Sequence, residues 1–193
     1  SQKVLYHNTN SISLPEFRDL VTYYNEVYRH TFHREKPIIV INIGMHYNRD
    51  TPNLNEGKLR NHVHNLAKHC RDIGARCIFR ETSPQHFDTP AGDGLYMKNA
   101  PHQKCMSQPP ESFSTLNQWR NAVRNDVVKE VGSGKHGFVK LMPLFDQLAG
   151  LNMAHTPKLL GNDCTHFAGD PGFWEPWHLS LIEVLMDVIT DVM

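Results

Sequence analysis

Three short apolar runs constrain the fold more than any other feature: PIIVINIG at 37–44, ARCIFRETS at 75–83 and HGFVKLMP at 136–143. The first is a continuous β-branched run stopped by Gly44, the pattern of a strand buried on both faces. The stretches between the runs have helical character instead. LNEGKLRNHVHNLAKHCRDIG ends at Gly74, a residue suited to a helix C-cap. STLNQWRNAVRNDVVKEVG has Ser114 or Thr115 at its N-terminal cap. Strand, helix, strand, helix, strand requires crossover connections, so the pattern predicts an α/β domain with a mostly parallel sheet.

The flanks extend the same reading. KVLYHN at 3–8 fits a short strand, and SLPEFRDLVTYYNEVYRHTF a helix with Ser13 as N-cap, Pro15 in the first turn and Glu16 three residues after the cap. FDQLAGL fits a short helix, and PGFWEPWHLSLIEVLMDVITDVM a closing amphipathic helix. From His86 to about Phe113 the chain is rich in Pro, Gly and polar residues, which predicts a long loop.

With 193 residues the chain is long enough for one domain, taken as 1–193. A hydrophobic fraction of 39% and a charged fraction of 21% are globular values. Twenty basic and twenty acidic residues cancel, which removes the electrostatic case for a general nucleic-acid or anionic-membrane binder. No apolar run approaches the roughly 18 to 20 residues that span a bilayer. The opening SQKVLYHN has neither a signal-peptide pattern nor an initiator methionine, so a processed product or a piece of something longer is expected.

Cys70, Cys77, Cys105 and Cys164 allow three complete pairings, and their spacing matches no zinc module. Buried thiols and one or two disulfides stand as equal alternatives. His62, His64 and His69 cluster in HVHNLAKH, but positions 62 and 64 do not share a helix face, so a solvated helix surface is expected. His102, His136, His155 and His178 have no partners at ligand spacing. No metal and no cofactor is therefore expected.

The chemistry concentrates in GNDCTHFAGDPGFWEPWHL, 161–179, where Asp163 precedes His166 by three residues, before a Pro-Gly turn in a loop leading to the last helix. An aspartate that accepts the imidazole Nδ1 proton fixes the tautomer and leaves Nε2 free to take a proton from a hydroxyl nucleophile. The plain alternative is a surface Asp capping a turn.

DCTHFAGDPGFWEPW resembles the D-C-[ST]-H-W-x-x-P-G-x-x-x-x-W signature that closes the PC-esterase superfamily, which includes the plant trichome-birefringence-like polysaccharide O-acetyltransferases, a branch of the SGNH/GDSL hydrolases. FRETSPQHF at 79–87 resembles that family's F-R-T-x-S-P-x-H-F, and IVINIGMHYN its V-x-N-x-G-H-W-W strand end. Together the blocks span about 38–178, most of the chain.

The resemblance implies an SGNH-like three-layer α/β/α domain acting on acyl esters of carbohydrate, in the secretory pathway (the Golgi lumen) or outside the cell. By it, Asp163 and His166 are the acid and base of a triad, and Asn42 donates to the oxyanion, a role that suits an amide on a rigid strand end. Without the family, Asn42 is equally a turn residue bonding its own backbone. Arg80, Ser83, His86 and His46 line the substrate side, although Arg80 could instead pair with a carboxylate of its own fold. Trp174 could stack on a sugar ring, whereas Trp177 matches a structural tryptophan that packs the last helix on the sheet.

The chain also departs from the family. Ala168 stands where the family often has a second cysteine, so the resemblance implies pairing of Cys164 with Cys105. One extra residue separates His166 from Pro171, Phe167 replaces a tryptophan, and Met45 before His46 forces a one-residue slip in the alignment.

The largest departure is the nucleophile. The SGNH serine lies in a G-D-S motif after the first strand, and this chain has no G-D-S. Ser133 lies in G-S-G, between the second and third blocks, and Ser83 belongs to another block. The first strand is expected to be missing with it, leaving unpaired edges and apolar faces. Either a complementary N-terminal fragment or partner chain completes sheet and triad, making an O-acyl (acetyl) esterase or O-acyltransferase acting on glycans, or the domain is a catalytically inactive interaction or structural subunit. Retention of both Asp163 and His166 favours the first.

Overall fold

The computed structural model describes residues 38–47, 52–97, 104–132, 138–157, 162–167 and 171–190, together with Asp19, Thr22, Tyr23 and Glu26. The chain divides into two compact units, Ser1–Pro37 and Ile38–Met193. In the first unit the four described positions are helical, within the helix expected over 13–32. The expected strand at 3–8 and the Ser13 cap lie outside the described residues, as does Ser133.

The second unit is an α/β fold. Its elements are β1 (Ile38–Asn42), α1 (Pro52–Asp72), β2 (Arg76–Arg80), α2 (Phe113–Asn117), α3 (Trp119–Gly132), β3 (Val139–Met142), α4 (Phe145–Leu148), β4 (His155–Pro157), β5 (Asn162–Phe167) and α5 (Pro171–Thr190). The three predicted strands form one parallel sheet in the order β1-β2-β3, with Ile38 opposite Arg76 and Cys77 opposite Val139. α1 and α3 pack against each other, and α3 and α5 both contact β3.

Strand β2 sets the layering. Successive side chains of a strand point to opposite faces. Ile78 joins Met142, Val184 and Val188 in a cluster that α5 closes with Trp177, Leu181 and Leu185. Cys77, pointing the other way, is disulfide-bonded to Cys70 at the end of α1. Helices therefore cover both faces of the sheet. The α1 helix ends as the sequence requires, because Gly74 takes a positive φ of 69° while Ala75 N–H reaches back to the Cys70 carbonyl at 2.8 Å. At the start of the α2–α3 region, Ser112 is the capping residue rather than Ser114 or Thr115, and it makes no side-chain cap bond.

Two expectations are corrected. β1 is not buried on both faces, since among the described residues it pairs with β2 alone, and Ile38 and Val40 are 38% and 43% exposed. A β-branched run records what a strand can pack against, and burial also needs a neighbour on each side. The D-x-x-H segment, read as a loop, is instead strand β5, paired antiparallel with β4. Pro171 and Gly172 do not form a separate turn but open α5, where a proline at the first helical position gives up no hydrogen bond.

Candidate functional site

Strand β5 presents the Asp163–His166 pair. Asp163 Oδ2 faces His166 Nδ1 at 2.7 Å, while Asp163 Oδ1 accepts the backbone N–H groups of Thr165 and His166 at 3.0 and 3.1 Å. The carboxylate is 14% exposed and the imidazole 77%. Burial on its own would raise the Asp163 carboxyl, but the N–H donors of His166 and Thr165 and the His166 ring outweigh it and hold it below the usual carboxylate range. An ionised carboxylate only accepts, so the neutral ring carries its proton on Nδ1 and leaves Nε2 open as an acceptor. That is the tautomer a general base needs.

The segment is anchored through the second motif block. The Cys105–Cys164 disulfide ties β5 to the loop after β2, at a Cα–Cα separation of 5.2 Å. His86 N–H donates to the Cys164 carbonyl at 2.9 Å, Gln85 Nε2 donates to Thr165 Oγ1 at 3.0 Å, and Met106 N–H donates to the His86 carbonyl at 2.8 Å.

The first block joins the second at the carboxyl ends of β1 and β2. Asn42 lies opposite Arg80, and its Nδ2 donates to the carbonyls of Arg80 and Glu81 at 3.3 and 3.4 Å. Arg80 Nη1 donates to Ser83 Oγ at 3.3 Å. Beneath them the fully buried Arg124 donates to the Ile43 carbonyl and Thr82 Oγ1, and Arg120 donates to the Tyr47 carbonyl and Gln85 Oε1. Burial pushes both guanidinium groups down to about 10. Gly44, at φ 145°, sits where a Cβ would press on Thr82 Oγ1. FRETSPQHF is thus bonded to both of the other blocks, and strand carboxyl ends are where open α/β sheets place ligands.

The remaining site residues fall as follows. His46 and Trp174 are exposed, and Trp174 lies edge-on to Trp177 with ring centroids 6.1 Å apart. Trp177, partly buried on α5, packs against the core. His86, expected on the substrate side, lies in the interior and is wholly buried. Its ring stacks on Phe113 at 4.9 Å, and its Nδ1 lies 2.6 Å from Nε2 of His155. Among the cluster expected on a helix surface, His62 bonds Tyr47 Oη and His64 lies 3.5 Å from Glu130. Among the described residues no group of three His, Cys, Asp or Glu side chains is placed to hold a metal ion.

Sequence reasoning missed His155 and Glu81. His155 Nδ1 donates to the His166 carbonyl at 3.1 Å, and its partner His86 is 69 positions away, beyond any spacing rule. Glu81 is buried and accepts N–H groups of Leu144 and Phe145, each at 2.8 Å, and Nδ2 of Asn125 at 2.7 Å. Its only signal was a charge directly after an apolar strand. No protein-family model matches the chain, and no curated protein or solved structure matches it significantly.

Proposed function

We propose that the chain supplies the acid–base half of an SGNH-type serine acyl esterase or O-acyltransferase acting on acylated carbohydrate. The carrying observation is the Asp163–His166 pair, with the carboxylate sheltered, the ring exposed and Nε2 directed by its tautomer to accept a proton. His166 takes the proton from a serine hydroxyl as it attacks the ester carbonyl and gives it to the departing alkoxide as the ester C–O bond breaks, with Asp163 orienting the ring. The acyl group then passes from the serine to water or to a sugar hydroxyl, whose proton His166 takes and returns to the serine. Asn42 donates to the oxyanion, exchanging its long contacts with Arg80 and Glu81 for the developing charge. Arg80, Ser83 and His46 line the substrate side, and the exposed indole of Trp174 stacks on a sugar face.

The serine enters on a G-D-S strand added beside β1. Among the described residues β1 pairs with β2 alone, and Ile38 and Val40 are exposed; both support that placement, because an added strand would pair with the other side of β1. Two disulfides and the absence of any described helix long and apolar enough to cross a membrane are compatible with an oxidising lumen or the exterior.

A second reading has its own observation. Leu179, Ile182 and Met186 make an exposed apolar stripe on α5, which suits a silent interaction subunit. Intact mass spectrometry of the native material, with sequencing of every species and an activated acetyl-ester assay, separates the two. A co-purifying G-D-S segment with esterase activity supports the first. A single inactive species supports the second.

A further inference from the structure

Four ring nitrogens of His86 and His155 take part in three contacts, and the protons needed to make them can be counted. His86 Nε2 lies 2.8 Å from the Ala149 carbonyl, and His155 Nδ1 lies 3.1 Å from the His166 carbonyl. Carbonyl oxygens only accept, so both of these nitrogens must carry protons. The remaining two, His86 Nδ1 and His155 Nε2, face each other at 2.6 Å, and one of them must carry a proton for that contact to bond. Three protons on two imidazoles make one positive charge. Two neutral rings hold only two protons, so one of the three contacts then fails.

We propose that His86 and His155 share a single proton, and that its arrival completes the bonds that fix the main chain of His166. His155 is then the link through which the state of the pair reaches His166. The anchor has rigid ends. His86 is held at Ala149 and stacked on Phe113, and the His155 ring lies 4.3 Å from Phe167, the residue after His166. The groups facing the pair are few. Asp163 on β5 favours charge on His155, His166 on the same strand opposes it, and Phe113 of α2 and Phe167 offer apolar rings. Both rings are buried, and burial outweighs the pull of their carbonyl partners, bringing His86 down to about 4 and His155 in the same direction. The proton therefore arrives from solvent on the acid side of the usual imidazole range, and acidification completes the third bond.

The test is a titration of ring nitrogens and their protons by NMR on the full chain labelled with ¹⁵N-histidine, from neutral pH to the acid limit of folding. The expected result is uptake of one proton by the two rings together, with a strongly deshielded proton appearing in step. The backbone N–H of Phe167 and the ring of His166 should shift at the same pH. In His155→Asn the amide still donates to the His166 carbonyl, yet the step at Phe167 and His166 should vanish, which loss of a purely structural contact does not predict. His86→Gln keeps a donor to Ala149 and should also abolish the step, so either variant suffices if the other fails to fold. Two independent one-proton titrations overturn the proposal, as does a pair that stays neutral throughout, or a step at Phe167 that persists in a folded variant. None of these readouts requires esterase activity, so the absence of activity would count against the proposed function alone.

Discussion

Asp163 holds His166 at two points, the ring Nδ1 at 2.7 Å on Oδ2 and the backbone N–H at 3.1 Å on Oδ1, and the same Oδ1 accepts the backbone N–H of Thr165 at 3.0 Å. The carboxylate therefore shapes the strand as well as the tautomer, and the two roles can be separated. In Asp163→Asn the amide oxygen can still accept both backbone N–H groups. The amide N–H₂ now faces Nδ1 and drives the imidazole proton to Nε2, the wrong nitrogen for a base. Activity of the native assembly should fall by about 10³- to 10⁴-fold with folding stability nearly unchanged. Steady-state ester hydrolysis beside urea unfolding checks this, and a loss of less than about tenfold would contradict the role of Asp163.

The two disulfides should differ in weight. Cys105–Cys164 closes a separation of 59 residues and Cys70–Cys77 one of 7. Loop-closure entropy assigns about 4 kcal/mol to the first and about 2 kcal/mol to the second. The paired Cys→Ser variants should rank in that order in denaturant midpoint. Only the longer loop ties β5 to the rest of the site, so only its loss should also broaden the His166 resonances.

Gly94 is a backbone position that no other residue fits. Its φ is 68°, and a Cβ there would collide with the Gln85 carbonyl, the Phe113 ring and Asn117 Nδ2. Asn117 itself bonds the carbonyls of Gln85 and Asp93. Gly94→Ala combines a left-handed backbone cost with overpacking, about 3 kcal/mol together. Thermal unfolding should show the loss, and a midpoint within a degree of the parent would refute the placement of this loop.

The acid side of the stability profile should be steep. Burial brings the folded His86 down to about 4, with His155 shifted in the same direction. The unfolded chain takes up these protons near pH 6.5 and the folded chain only lower, so stability is full above that range and falls as pH drops toward about 4. The loss from His86 alone reaches up to about 3 kcal/mol. Asp163 adds a separate decline further down, because its depressed carboxyl stabilises the fold above the unfolded value and loses that effect as pH passes the folded one. Urea midpoints at pH 7, 6 and 5 should descend, and His86→Gln should flatten the descent.

What could be read in advance depended on how local the physics was. The parallel sheet was legible because β2 and β3 are apolar runs between helical periods, and the Gly74 cap because a left-handed residue has few substitutes. The exposure of β1 was not legible, since Val40 reads the same whether or not a strand lies beyond it. β5 reads as a loop in the sequence because its partner, β4, is only three residues long and carries no alternating pattern. The Asp163–His166 bond was local enough to foresee, at a separation of three. The His86–His155 contact, the Glu81 bonds to Leu144, Phe145 and Asn125, and the Arg124 anchorage depend on segments brought together only by the fold.

The central claim is that His166 activates a serine carried on a G-D-S strand. Labelling the native material with a serine-directed fluorophosphonate, then sequencing the labelled peptide, tests it most directly. The account predicts a single labelled serine within G-D-S, on a companion chain or chain segment, with labelling lost in His166→Ala. No labelled serine, or one whose labelling is unchanged in His166→Ala, would contradict it.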